Sequence, residues 1–206
     1  MKVKLCGFTE EKSLRAAIEA KCDFIGFVFY EKSPRYIAPE AAAALASLIP
    51  AEIKRVAVVV DPDFELLSKI SRNFSPDFFQ FHGSETPEFL RIVRKDFPGI
   101  KIIKALSEYW ALGTGHFEDV VDFFLFDSAT PGSGKIFNWE ILRGLKTKKD
   151  WFLSGGLNIN NIDEALQIRG AKMIDISSGI EKSRGEKSPE MILALMNKIR
   201  NASQNS

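Results

Sequence analysis

Cysteine and histidine are scarce in this chain of 206 residues, with two of each: Cys6 and Cys22, His82 and His116. There is no CxxC pair and no HExxH, so the composition argues against a zinc site, although carboxylates could still hold magnesium. No metal ligand set is assigned. A disulfide framework is equally short of material, and both cysteines are expected to be reduced thiols. Apolar runs are short, and none reaches the roughly 18 residues that would span a bilayer. Neither sign of charge dominates: 28 basic residues meet 27 acidic ones, for a formal net charge of +1. Nothing therefore draws the whole molecule to a polyanion, and neither nucleic acid nor membrane is expected as a partner. The opening Met1-Lys2-Val3-Lys4-Leu5-Cys6-Gly7 has no apolar stretch of signal-peptide length, and the expected location is cytoplasmic.

What the chain does have is a repeated alternation of short apolar runs and amphipathic stretches. Strands are predicted to begin near Lys2, Phe24, Arg55, Asp77, Lys101, Asp122, Trp151 and Met173. Their spacing leaves room for a helical crossover between parallel strands. Helices are predicted over residues 10–20, with Thr9 as N-cap, and from Pro39 to about Leu48. More follow from Phe64, over 87–95, around 116–121, and over 139–145, 159–168 and 189–199. Continuous apolar strands such as residues 56–60 suit a sheet covered on both faces. Eight strand-then-helix units predict an α/β fold, a (β/α)8 TIM barrel over residues 1–200. An open doubly wound sheet is the alternative, and residues 201–206 are expected to be a frayed tail.

In such a barrel the chemistry belongs at the C-terminal ends of the strands. Polar residues gather there: Cys6, His82, Asp127, Ser154 and Ser177. Alternation puts Lys4 and Cys6 on one face of their strand, Gln80 and His82 on one face of theirs, and Asp175 with Ser177. A buried Lys4 needs a counter-charge, which Asp127 or Asp175 could supply. Cys6 reads either as a base, its thiolate favoured by Lys4, or as a small buried hydrophobe. Cys22, in a helix-to-strand connection, reads as the latter. Asp127 after an apolar run reads as an acid or as an anchor for loop 128–135. His82 reads as an acid or base or as a residue ordering its loop, and His116 as a surface residue. Arg35, in the basic loop Lys32-Ser33-Pro34-Arg35-Tyr36, could grip a carboxylate with two hydrogen bonds or stand in solvent. Ser154-Gly155-Gly156-Leu157-Asn158 and Ser177-Ser178-Gly179-Ile180 follow the last two strands, where barrels often hold phosphate, helped by the helix N-termini that follow. Gly132-Ser133-Gly134-Lys135 fails as a Walker loop, since Ala129 and Ile136 occupy required positions, and reads as a lid.

These segments, in this order, resemble the phosphoribosylanthranilate isomerase family. The resemblance runs through Lys4-Leu5-Cys6-Gly7-Phe8-Thr9, Gly26-Phe27-Val28-Phe29, the Arg35 loop and Gln80-Phe81-His82-Gly83. It continues through Phe126-Asp127, Leu153-Ser154-Gly155-Gly156-Leu157 and Asp175-Ile176-Ser177-Ser178-Gly179-Ile180-Glu181. It implies a cofactor-free Amadori rearrangement of N-(5-phosphoribosyl)anthranilate in tryptophan biosynthesis. Asp127 would be the general acid on the ribose ring oxygen and Cys6 the general base at the sugar C2. Arg35 would bind the anthranilate carboxylate, His82 would belong to the substrate-binding set, and Gly155, Gly156, Ser178 and Gly179 would hold the phosphate. Phe8 and Asn138 depart from the residues common at those positions, and the lid is short. The expected partner is a small phosphorylated substrate, and the chain a monomer or homodimer. The alternatives are another phosphosugar isomerase or a barrel that only binds a phosphorylated ligand.

Overall fold

The computed structural model describes residues 1–107, 114–128 and 139–204. Eight strands close into a parallel barrel in sequence order. They are β1 (Lys2–Cys6), β2 (Phe24–Val28), β3 (Lys54–Val59), β4 (Phe78–Phe81), β5 (Lys101–Ser107), β6 (Phe123–Asp127), β7 (Trp151–Leu153) and β8 (Met173–Ile176). β1 pairs with both β2 and β8, which closes the ring and replaces the open-sheet alternative.

Strand alternation divides the apolar residues between two cores. Cys6, Phe24, Val28, Val56, Val58, Phe78, Ile103, Ala105, Leu125, Phe152 and Met173 fill the barrel interior. Their strand neighbours, among them Leu5, Phe27, Val59, Phe81, Phe126 and Ile174, face the surrounding helices. The interior has an aromatic floor. Phe24, Phe78, Phe123 and Phe152 form a circuit of rings with successive centroid separations of 5.7, 5.7, 6.0 and 5.2 Å. Each buried ring removes apolar area worth about 1.5–3 kcal/mol from water, and tilted or edge-on contacts add about 0.5–1.5 kcal/mol. The floor seals the barrel below its polar residues.

The first four connections are helical as expected: α1 (Glu11–Glu19), α2 (Pro39–Ala46), α3 (Phe64–Phe74) and α4 (Pro87–Asp96). Asp63 and Thr86 cap α3 and α4 by accepting from the N–H three residues on. Thr9 is not the N-cap of α1; Glu10 takes that position, without a side-chain cap bond.

The second half departs from the helical expectation. Residues 114–116 make a 3-10 turn where a helix was expected around 116–121. Trp139–Gly144 is a 3-10 helix, and the helix expected over 159–168 shrinks to α5 (Ile162–Ala165). The reason is local at α5. Asn158 N–H donates to Asn161 Oδ1 and Asn160 N–H to Asn158 Oδ1, so asparagine side chains satisfy backbone groups that would otherwise start a helix. Between β8 and α6 (Pro189–Gln204) an unanticipated hairpin intervenes, β9 (Glu181–Ser183) and β10 (Glu186–Lys187). α6 carries Asn201–Gln204, so the tail expected from residue 201 is helical through 204. Among the described residues no helix is long and apolar enough to cross a membrane.

The buried pair of Lys104 and Glu85 was not anticipated. Lys104 on β5 points outward, yet its side chain is buried against Glu85 at 2.7 Å, with a second bond to Gly83 O at 2.7 Å. Glu85 also accepts from the N–H groups of Asp61 and Gly83. The pair thus staples the loops after β3 and β4 to β5. Removing one member leaves the other charge buried without its partner. Lys104→Met is therefore expected to lower stability by about 3 kcal/mol, a fall in Tm of about 10 °C in a thermal melt; Glu85→Gln in the same background should recover part of it.

Candidate active site

The site starts at the seam of the barrel. Register sets Lys4 opposite Asp175, and Lys4 Nζ donates to Asp175 Oδ1 at 2.8 Å with the lysine wholly buried. Of the two counter-charges open to Lys4, Asp175 is the one used. Cys6 lies two residues above on the same face, beside the Lys4 ammonium. Gly26 makes the space: a Cβ there would fall 2.6 Å from Cys6 Sγ and 3.2 Å from Lys4 Cε.

Burial pushes the Cys6 thiol up. The Asp175 carboxylate adds to this, and Lys4 and Lys187 pull the thiol down without offsetting the two. The expectation that Lys4 would favour the thiolate holds in direction, and desolvation outweighs it. Cys22 is buried outside the site, its thiol pushed up to about 12 by burial and by Asp23.

Across the rim, Asp127 ends β6. Its Oδ1 accepts from Ser128 N–H at 2.8 Å, and its Oδ2 lies 3.4 Å from His82 Nε2. One oxygen therefore anchors the chain that follows, as one of the two readings of Asp127 expected, and the other faces His82. His82 Nδ1 is 3.3 Å from Gln80 Nε2. In the tautomer where Nδ1 accepts from Gln80, the Nε2–H faces Asp127. Gln80 Oε1 is buried with no partner among the described residues.

Arg35 comes from the loop after β2 and does not stand in solvent. Its Nε and Nη2 donate to Glu181 Oε1 and Oε2 at 2.7 and 2.9 Å. Lys187 Nζ donates to Glu181 Oε1 at 2.7 Å, and to Ser177 O and Oγ. Burial opposes ionisation of Glu181, but Arg35 and Lys187 outweigh it and hold its pKa at about 2. Ser177 Oγ in turn donates to Cys6 O at 3.1 Å, tying the hairpin side of the site to the end of β1.

These groups border one cleft of 340 Å³. Cys6, Arg35, Gln80, His82, Asp127, Ser154, Asp175 and Ser177 line it, as do Lys32 and Tyr30 from the loop after β2. Its polar residues come from several different strand ends, and Val28, Val58 and Val60 give it an apolar side. Gly155, Gly156, Ser178 and Gly179 are not in that lining, although Ser154 and Ser177, just before them, are. The two loops do meet: Asn158 bridges Gly179, and a Cβ on Gly179 would overlap Leu157 O at 1.9 Å. Neither loop runs directly into a long helix, since α5 has four residues and the hairpin follows β8. The expected helix-dipole contribution to phosphate binding is therefore not built here as anticipated. His116 is exposed, as expected. Of loop 128–135 only Ser128 is described; residues 129–135, with Gly132-Ser133-Gly134-Lys135, and Asn138 lie outside the described residues.

Reading the sequence put Gln80 on the face of His82 without giving it a part in the site, and missed Arg184 in the cleft wall and the Glu181–Lys187 pair behind Arg35. Gln80 had a signal in its alternation with His82. Glu181 closes one of the segments that carry the family resemblance but had no role assigned; Arg184 and Lys187 had no signal, because the short, charged hairpin lacks apolar patterning.

Comparison with known proteins points to one family. The family profile described as N-(5'phosphoribosyl)anthranilate (PRA) isomerase matches residues 3–198. The N-(5'-phosphoribosyl)anthranilate isomerase of Parvibaculum lavamentivorans is 36% identical, over 98% of this chain and 99% of its own. The crystal structure of phosphoribosyl anthranilate isomerase from Thermotoga maritima superposes with a TM-score of 0.87 at 31% identity, covering 99% of each chain. A phosphoribosyl anthranilate isomerase in complex with reduced 1-(o-carboxyphenylamino)-1-deoxyribulose 5-phosphate superposes with a TM-score of 0.85 at 29% identity, covering 98% of this chain and 99% of that one. Matching along nearly its whole length, this chain belongs to the N-(5'-phosphoribosyl)anthranilate isomerase family.

Proposed function

We propose that the chain isomerises N-(5'-phosphoribosyl)anthranilate to 1-(o-carboxyphenylamino)-1-deoxyribulose 5-phosphate with Cys6 as base and Asp127 as acid. The observation that carries this reading is a thiol, a carboxyl group and an arginine brought from three separate strand ends to one cleft. In the reaction Asp127 gives its proton to the ribose ring oxygen. The bond from that oxygen to C1 breaks as the anthranilate nitrogen forms a double bond to C1. The Cys6 thiolate then takes the proton from C2, leaving an enolamine. Reprotonation at C1 and loss of the hydroxyl proton at C2 give the ketone. C1 is reduced and C2 oxidised within one molecule, so no external electron carrier is required.

Arg35 supplies the charge for the anthranilate carboxylate. Its Nε–Nη2 side is engaged by Glu181, so the ligand meets the remaining donors. His82 holds Asp127 and contacts the substrate from the same rim. The phosphate sits where the loops after β7 and β8 adjoin, at Gly155, Gly156, Ser178 and Gly179. A raised thiol pKa suits the base in one respect: few thiolates form, but each is strongly basic.

The assay is loss of the fluorescence of N-(5-phosphoribosyl)anthranilate on addition of purified protein, without metal or nucleotide. Cys6→Ser and Asp127→Asn should each lower kcat by about 10²- to 10⁴-fold with little change in KM. Turnover near that of the parent protein in Cys6→Ser would remove Cys6 from the role of base, and a parent protein that never consumes the substrate would remove the activity itself. The thiol gives an independent check. Because the pKa of Cys6 is raised, its alkylation rate should keep climbing as pH passes about 8.5, with Cys22 silent. Lys4→Met should move that midpoint higher still, and a midpoint below the ordinary thiol value would contradict the burial argument.

A further inference from the structure

We propose that Lys187 is a positioning residue: its buried ammonium cancels the charge of Glu181, so that Arg35 is gripped by a carboxylate and still offers net positive charge to the carboxylate of the substrate. The inference rests on Arg35 being the carboxylate binder.

The argument begins with a conflict. Arg35 is locked in place by two hydrogen bonds to Glu181, an arrangement that fixes a guanidinium well. A closed arginine–carboxylate pair is, however, neutral. A second carboxylate approaching it meets the repulsion of Glu181 along with the attraction of Arg35. Rigid positioning and anion binding thus oppose each other in a two-residue unit.

Lys187 resolves the conflict. Its side chain is 1% exposed and Glu181 is 4% exposed, so solvent screens neither charge effectively. The ammonium is directed at three acceptors, Glu181 Oε1, Ser177 O and Ser177 Oγ, which match its three donors. It has nothing left to give a ligand, and it does not line the cleft. Its effect on a ligand must pass through Glu181. With Lys187 in place, the unit of Arg35, Glu181 and Lys187 carries a net charge of +1.

The hairpin fits this purpose. Glu181 and Lys187 are paired across it, and a register irregularity at Glu186 and Lys187 accompanies the turn of Lys187 inward. At its tip Gly185 N–H donates to Glu181 Oε2 at 3.1 Å, and a Cβ on Gly185 would lie 2.5 Å from Pro34 O. The hairpin tip therefore rests on the loop that carries Arg35. Stability alone does not call for three buried charges here, because apolar side chains of similar size commonly serve as well or better.

The experiment measures dissociation constants for two probes. One is reduced 1-(o-carboxyphenylamino)-1-deoxyribulose 5-phosphate; the other is its phenylamino counterpart without the carboxylate. Lys187→Met should weaken the first by about tenfold and leave the second nearly unchanged. The double variant Glu181→Gln/Lys187→Met returns the unit to +1 and should recover most of the preference for the carboxylate. A residue that mattered only for packing would make the double variant no better than the single. Retention of the full preference in Lys187→Met, or a double variant as poor as the single, overturns the inference. If Lys187→Met does not fold by thermal melting, Lys187→Gln removes the charge while keeping hydrogen bonds, and carries the same prediction. Arg35→Met separates the two layers. If it keeps the preference, the reading of Arg35 falls and this inference with it. If it loses the preference while Lys187→Met does not, only the role of Lys187 falls.

Discussion

Lys4 and Asp175 meet on the inside of the barrel where β1 joins β8, the contact that closes the ring. A lysine buried there without a partner would cost several kcal/mol. The strand register that supplies the partner is also the register that closes the sheet. A slip of one residue would turn Lys4 outward and take Cys6 with it, since both share one face. Charge pairing, closure and the depth of the thiol are therefore one constraint. Gly26 on the neighbouring strand completes it, because any larger residue would occupy the volume that Cys6 and Lys4 share.

Above this seam the site is organised by opposing electrostatic demands. Burial and the Asp175 carboxylate raise the Cys6 thiol while two lysines lower it, so the proposed base is sparse in its ionised form and strong when ionised. Asp127 is held from one side by the chain after β6 and faced from the other by His82, which Gln80 holds in turn. Arg35 is fixed by Glu181, itself balanced by Lys187. The acidic and basic groups thus sit on separate strand ends, joined by side chains from adjacent loops, and the aromatic floor keeps water from reaching them from below.

The first half of the fold could be read residue by residue. Pro39 and Pro87 start helices, apolar runs start strands at or within one residue of the expected positions, and Phe124 and Phe126 face away from Leu125 and Asp127. The second half could not be read in the same way. Asparagine side chains replaced the first turn of one helix, and 3-10 geometry took over at two others. Such outcomes are decided by single hydrogen bonds that periodicity does not register. The hairpin was invisible for a related reason. Its residues are charged on both strands, and their burial comes from ion pairing with a loop some 146 positions away.

By itself the sequence determined the eight strand-then-helix units, the strand-end positions of Cys6 and Asp127, and, through its resemblance to a family, the reaction to test; the β1–β8 pairing decided that the sheet closes. The first three follow from strand period and motif order, which are local properties of the chain. Only the tertiary structure decided which aspartate partners Lys4, that burial rather than Lys4 dominates the Cys6 thiol, and that Arg35 is held by Glu181 with Lys187 behind it. These depend on distances between residues far apart in the chain and on how much water remains between them. A linear pattern specifies neither.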